Sequence, residues 1–260
     1  MNTMSHQDAT VAHIQSELIT LSHELGREDR RLALLGEGNT SAAIGDGTFW
    51  VKASGSRLGT LQPEQLSRVV TDRALAVLDE KNIDNATVNQ RLQDTLLDRA
   101  HPQPSVETFL HALCLTIGEA QWVGHTHTDS VLSILCSEAG ADPFMQHIYP
   151  DEIVVCGRHL AVVPYVDPGL PLACAVQETL RTYREQHGHG PKVLLMVNHG
   201  PVALGKTAGE VLNIMLMLDK WARILIHAQA FGGPRYLAAD DADHLDNRPD
   251  EHYRRKQLAG

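Results

Sequence analysis

Residues 122–133 read WVGHTHTDSVLS, an apolar run that enters two histidines one residue apart and leaves through a polar turn. Side chains alternate faces along a strand, so a strand over Trp122–His127 aims His125 and His127 the same way. Two imidazoles on one face, about 7 Å apart along the chain, can converge on one ion. The pair is weak by itself. With 15 histidines in 260 residues, about one such pair arises by chance. A second, His187-Gly188-His189, sits in EQHGHGPK, which reads as a turn.

Upstream of the pair, a helix opens at Ser105 with Val106, Phe109, Leu110, Leu113 and Ile117 on its apolar face. Glu107 falls in its first turn, off that stripe, where an acid suits the positive helix end, and it shares a face with His111 four residues on. Downstream, a helix starts at Ser130, and EIVVCGRHLAVVPYVDPGLPL reads as two short strands with turns, so Asp151 and Glu152 begin a strand. A helix over 172–187 and a strand KVLLMV follow. The strand runs into the glycine turn NHGP carrying His199. A long helix over 208–231 has Val211, Ile214, Leu218, Ala222 and Leu225 on one stripe.

Nearer the N-terminus, apolar spacing over 10–25 gives a helix ending at Gly26. TSAAI and TFWVKA flank Gly45-Asp46-Gly47 as a β-hairpin. QLSRVVTDRALAVLDE is a helix or a strand running into one, and a helix over 86–99 ends at HPQP. These elements give an α/β fold, one domain over 1–260 with a mixed sheet between helical layers. Its core runs over about 11–231, with a loosely packed polar tail over 232–260.

Composition narrows the function. The chain is 43% hydrophobic and 21% charged with a formal net charge of −10. That balance argues against nucleic acid or an anionic membrane surface as partner, so an anionic substrate needs a local site. The four cysteines, Cys114, Cys136, Cys156 and Cys174, show no C-x-x-C pair, and no secretory signal or membrane span is visible. The expectation is a cytoplasmic protein.

GEGNTS (36–41), KASG (52–55), PSVE (104–107), HTH (125–127) and NHG (198–200), in that order, resemble the class II aldolase/adducin family over about residues 11–231. Residues 36–61 and 150–173 look most like the aldolase half of proteins that fuse a rhamnulose-phosphate aldolase to a short-chain dehydrogenase. The resemblance implies a single three-layer αβα domain with a largely antiparallel mixed sheet. It implies that His125, His127 and His199 hold a zinc ion, although histidines suit other divalent first-row metals as well. Glu107 matches the catalytic acid/base, which works best if burial raises its pKa toward neutrality. Tyr165 matches a tyrosine that reaches a neighbouring subunit's site. Asn39, Thr40, Ser54, Gly55 and Ser105 match the phosphate-holding positions.

By that resemblance the activity is reversible retro-aldol cleavage of a ketose, a ketose 1-phosphate first, through a zinc-held enediolate in a homotetramer. Epimerases, dehydratases and decarboxylases of the same family are alternatives, as is a non-catalytic adducin-like scaffold. One departure stands out. Val106 replaces a serine of the fuculose-phosphate-type enzymes, removing one hydroxyl from the phosphate site. Lys52 or Arg57 could compensate, although both read more readily as solvated surface residues.

Overall fold

The computed structural model describes residues 6–80 and 83–250. Helix α1 (His6–Leu25) leads to the hairpin of β1 (Asn39–Ala43) and β2 (Thr48–Lys52), then β3 (Leu66–Val70), α2 (Thr71–Ala76) and α3 (Asn85–Asp94). Next come α4 (Thr108–Thr116), β4 (Trp122–His125), α5 (Asp129–Leu135), α6 (Pro150–Cys156), β5 (Ala161–Val163) and α7 (Leu170–His187). The last elements are β6 (Val193–Met196), β7 (Gly200–Gly205), α8 (Ala208–Ala228) and α9 (Ala239–Asn247).

The strands form one sheet in the order β3-β2-β1-β4-β7-β6-β5. Every neighbouring pair is antiparallel except β5 and β6. Alternation along each strand divides the core in two. Trp50, Trp122, Leu195 and Ala203 face α1, α5, α6 and α8, whereas Val51, Val123, Leu194 and Val202 face α2, α3, α4 and α7. The three-layer αβα arrangement with a largely antiparallel mixed sheet is the fold class read from the sequence. All four cysteines are unpaired.

Several element boundaries differ from the sequence reading. Strand β4 ends at His125, so His127 lies just beyond it. The helix expected at Ser105 begins at Thr108 because Ser105 N donates to Lys52 O (3.2 Å) and Pro104 bridges Ala53, which holds residues 104–105 on the hairpin. Val106 is therefore 45% exposed, off the apolar face. Helix α3 stops at Asp94 because Leu96 and Leu97 pair along β3. EIVVC is helix α6, not a strand: Pro150 sits in its first turn, and buried Glu152 accepts the Ile148 and Tyr149 N–H groups ahead of it. Asp151 and Glu152 thus start a helix. GPVALG, part of no expected strand, is β7.

Two other expectations resolve plainly. QLSRVVTDRALAVLDE is a strand running into a helix. The tail packs as α9, whose Ala242 is buried and whose Asp243 pairs with Arg158 at 2.7 Å; residues 251–260 of the tail lie outside the described residues.

Candidate metal centre

Strand pairing brings the histidines together. β4 lies between β1 and β7, with His125 in register with Asn39 on one side and Val202 on the other. His125 Nδ1 donates to Pro201 O at 2.9 Å, which leaves Nε2 bare and facing the cleft. His127 folds back past the strand end until its Nε2 stands 3.1 Å from His125 Nε2. His199 arrives on the turn between β6 and β7, where Asn198 has φ 57° and Gly200 φ 149°. A Cβ on Gly200 would meet Thr126 O at 2.5 Å, so this turn demands glycine.

The three imidazole rings are nearly equidistant, with centroids 4.9, 5.0 and 5.2 Å apart. Each offers a ring nitrogen, and these ligand atoms all lie within 4.8 Å of one another, the single such group among the described residues. Two nitrogens sharing a tetrahedral zinc stand about 3.3 Å apart, close to the separation of the His125 and His127 nitrogens. His199 Nδ1 is buried without a partner. The donor set fits a divalent first-row cation and leaves space for further ligands. Burial holds His125 at a pKa of about 4 and lowers His127, keeping both in the neutral form that ligates.

Residues 16–226 match the description "Class II Aldolase and Adducin N-terminal domain". The chain belongs to the class II aldolase/adducin family. It is 29% identical over 233 residues to the uncharacterized oxidoreductase YuxG of Bacillus subtilis, covering 85% of this chain but 31% of that protein, so the chain spans about a third of that relative's length. It is 26% identical over 246 residues to a 3-oxo-tetronate 4-phosphate decarboxylase of Pectobacterium atrosepticum, covering 92% of this chain and 98% of the relative. Among solved structures, the N-terminal class II aldolase domain of a Thermoplasma acidophilum protein aligns with TM-score 0.65 and 26% identity, covering 87% of this chain and 96% of that one.

Within this class II aldolase fold, Glu107 lies beside the histidines, 8% exposed. Its Oε1 is 3.0 Å from His199 Nε2 and its Oε2 3.6 Å from His125 Nε2. Burial pushes its pKa up most strongly. His125, His199 and the Asn39 amide together outweigh that and hold the carboxyl below the usual carboxylate range. The carboxyl is therefore not raised toward neutrality, the condition under which the sequence reading has it work best.

Asn39 Nδ2 donates to Glu107 Oε2 at 2.5 Å and to Ser105 Oγ at 3.1 Å. Buried Ser105 Oγ also accepts the Glu107 backbone N–H. Ser54 and Gly55 are exposed on the turn after β2, with Gly55 at φ 76°. Thr40 does not join them through its side chain. Its hydroxyl faces the opposite layer and bonds Ser22 Oγ on α1 at 2.7 Å, because strand alternation sends residue 40 away from residue 39.

Tyr165 is 58% exposed on the loop after β5 and donates to Asp167 at 3.2 Å, in contact with none of these residues. Lys52 corrects the surface reading: it is 2% exposed, and its ammonium donates to Ser56 O at 2.6 Å and forms no ion pair among the described residues. Burial lowers its pKa to about 8 while the charge of Glu107 pulls it up. Arg57 is exposed. Sequence reasoning missed Ser41 and the role of His111, which bonds Ser41 through one ring nitrogen and Asn39 through the other behind the site. The one available signal was the four-residue spacing of Glu107 and His111.

Proposed function

We propose that the chain is a divalent-metal-dependent carbon–carbon lyase, and that its substrate is a phosphorylated 3-oxo acid which it decarboxylates. The observation that carries the lyase reading is the convergence of His125, His127 and His199 with the Glu107 carboxylate 3.0 Å from the nearest imidazole. The full-length similarity to a 3-oxo-tetronate 4-phosphate decarboxylase supports decarboxylation ahead of the aldol cleavage that the motifs first suggest.

A cation held by the three histidines, zinc in this proposal, supplies Lewis acidity toward oxygens on which negative charge develops. The chain's own groups do the remainder. Loss of carbon dioxide breaks the C1–C2 bond and leaves its electron pair as an enolate across C2 and C3. The buried Lys52 ammonium places a positive charge near Glu107 that favours such an anion. Glu107, together with the solvent that reaches the cleft, carries the proton that ends on C2. Ser54, Gly55 and Ser105 hold and orient the phosphorylated end, with the backbone of the Ser54-Gly55 turn offering N–H groups, while Asn39, whose amide hydrogens go to Glu107 and Ser105, braces Ser105.

Retro-aldol cleavage of a ketose 1-phosphate is the second reading. The exposed Tyr165 favours it, since a phenol on a surface loop, bonded to Asp167 of the same loop, can turn to serve a neighbouring subunit's site in a homotetramer. Zinc-loaded protein incubated with 3-oxo-tetronate 4-phosphate should release carbon dioxide, and with a panel of ketose 1-phosphates should release little aldehyde. Aldehyde without carbon dioxide selects the aldolase. An epimer or a dehydrated product with neither gas nor aldehyde overturns the carbon–carbon lyase.

A further inference from the structure

We propose that His111 is a positioning residue: through a one-way chain of hydrogen bonds it fixes the Asn39 amide, and through that amide the orientation of the Glu107 carboxylate. The inference rests on the reading of Glu107 as the group that moves a proton.

His111 is fully buried in α4, between Leu110 and Ala112, on a helix whose other buried members are nearly all apolar. A polar ring in such a layer costs stability unless both nitrogens are paired. Both are. Nδ1 lies 2.6 Å from Ser41 Oγ, and Nε2 makes a short contact with Asn39 Oδ1. Burial keeps the ring neutral, with a pKa near 3, so one nitrogen donates and the other accepts.

The direction of each bond follows from the last one. Asn39 Nδ2 faces two acceptors, the Glu107 carboxylate and Ser105 Oγ, so the amide nitrogen sits on that side. The amide oxygen then faces His111, and His111 Nε2 must carry the hydrogen. Nδ1 is left as acceptor, and Ser41 must donate. The protons run Ser41 to His111 to Asn39 to Glu107. Turning any member round sets two acceptors against each other in a buried site.

The consequence reaches the cleft. With the Asn39 N–H on Oε2, Glu107 presents Oε1 toward His199. His111 therefore selects which carboxylate oxygen is held and which one works, although its own hydrogen bonds go to Ser41 and Asn39 and not to the histidine cluster. Ser41 and Asn39 lie on one face of β1, so one strand and one turn of helix suffice to build the chain.

The test compares two variants of the zinc-loaded protein. His111→Phe fills the space and donates nothing, whereas His111→Gln places an amide N–H near the position of Nε2. His111→Phe should lose about 10²-fold in kcat, the scale of a misplaced catalytic group, with KM within about threefold and zinc content unchanged, and His111→Gln should recover to within about tenfold. Equal losses in the two variants, or a loss that falls on KM or zinc content instead, overturn the proposal. Imidazole 15N spectra of the unsubstituted protein, with and without zinc, give a readout independent of turnover. His111 should show a protonated Nε2 and a bare Nδ1 throughout the neutral range. The opposite tautomer overturns the hydrogen-bond chain even if no substrate is known, while absent activity with the expected tautomer counts against the lyase reading alone.

Discussion

The chain contains two H-x-H pairs, and they end in opposite states. His125 and His127 straddle the end of a central strand and meet His199 with their ring nitrogens converging. His187 is the last residue of α7, Gly188 caps that helix at φ 76°, and His189 lies beyond it. There the rings are also close: His187 stacks on His159 at 4.5 Å and lies 6.3 Å from His189. Their nitrogens do not converge, and His189 Nδ1 faces the carbonyl of Gly190 at 2.8 Å. Proximity of imidazoles is common to both regions. What separates them is orientation: at the strand end a backbone carbonyl turns His125 Nε2 inward, whereas at the helix end His187 packs flat on His159 and His189 stands tilted away from it.

That contrast yields four predictions. His125→Ala should abolish stoichiometric zinc and lower kcat/KM by about 10³-fold or more, the equivalent of several kcal/mol of lost charge stabilisation. His189→Ala should leave both at the level of the unsubstituted protein. Metal analysis and steady-state rates on the same preparations check this, and zinc lost from both variants would erase the distinction between the two pairs. Glu107→Gln keeps the shape of the site and removes the group that carries the proton to C2, so kcat should fall by about 10²-fold or more with zinc retained.

Lys52 gives a smaller effect with a defined sign. Its folded pKa of about 8 lies below the ordinary 10.5, so the buried ammonium is present below pH 8 and is lost as pH rises through it. The rate should decline above that pH, and Lys52→Met should lose about tenfold at neutral pH and show a flat profile there. Because the unfolded chain binds the extra Lys52 proton between 8 and 10.5, the denaturant-measured stability of the unsubstituted protein relative to Lys52→Met should rise with pH across that window. The smallest effect belongs to the helix end. Gly188→Ala puts a side chain in the left-handed region and should cost about 1 kcal/mol, a fall of a few degrees in Tm, with zinc content and rate untouched.

Local signals made much of the fold legible. Gly45-Asp46-Gly47 between two apolar runs marked the β1–β2 hairpin, and the stripe from Val211 to Leu225 marked α8. Where tertiary contacts decide, the sequence misled. GPVALG has the proline and glycines of a loop, yet it lies between β4 and β6, and the pairing on both sides makes it a strand. IVVC has the β-branched residues of a strand, yet Pro150 and the capping carboxylate of Glu152 make it helical.

The histidine set and Glu107 were legible because their motifs recur in order. The burial of Lys52 and the Ser41–His111–Asn39 chain were not, since both depend on how β1 and β2 pack against α4 and the loop before it. Thr40 shows the same limit from the other side: neighbours in a motif point to opposite layers once the motif is a strand.

The central claim is that His125, His127 and His199 hold one divalent cation beside Glu107. Zinc-edge anomalous diffraction from crystals of the zinc-loaded protein tests it directly. The account predicts one peak about 2.0–2.1 Å from a ring nitrogen of each of these three residues, with none among His159, His187 and His189. A fully loaded protein with no peak between the three strand-end histidines would contradict it.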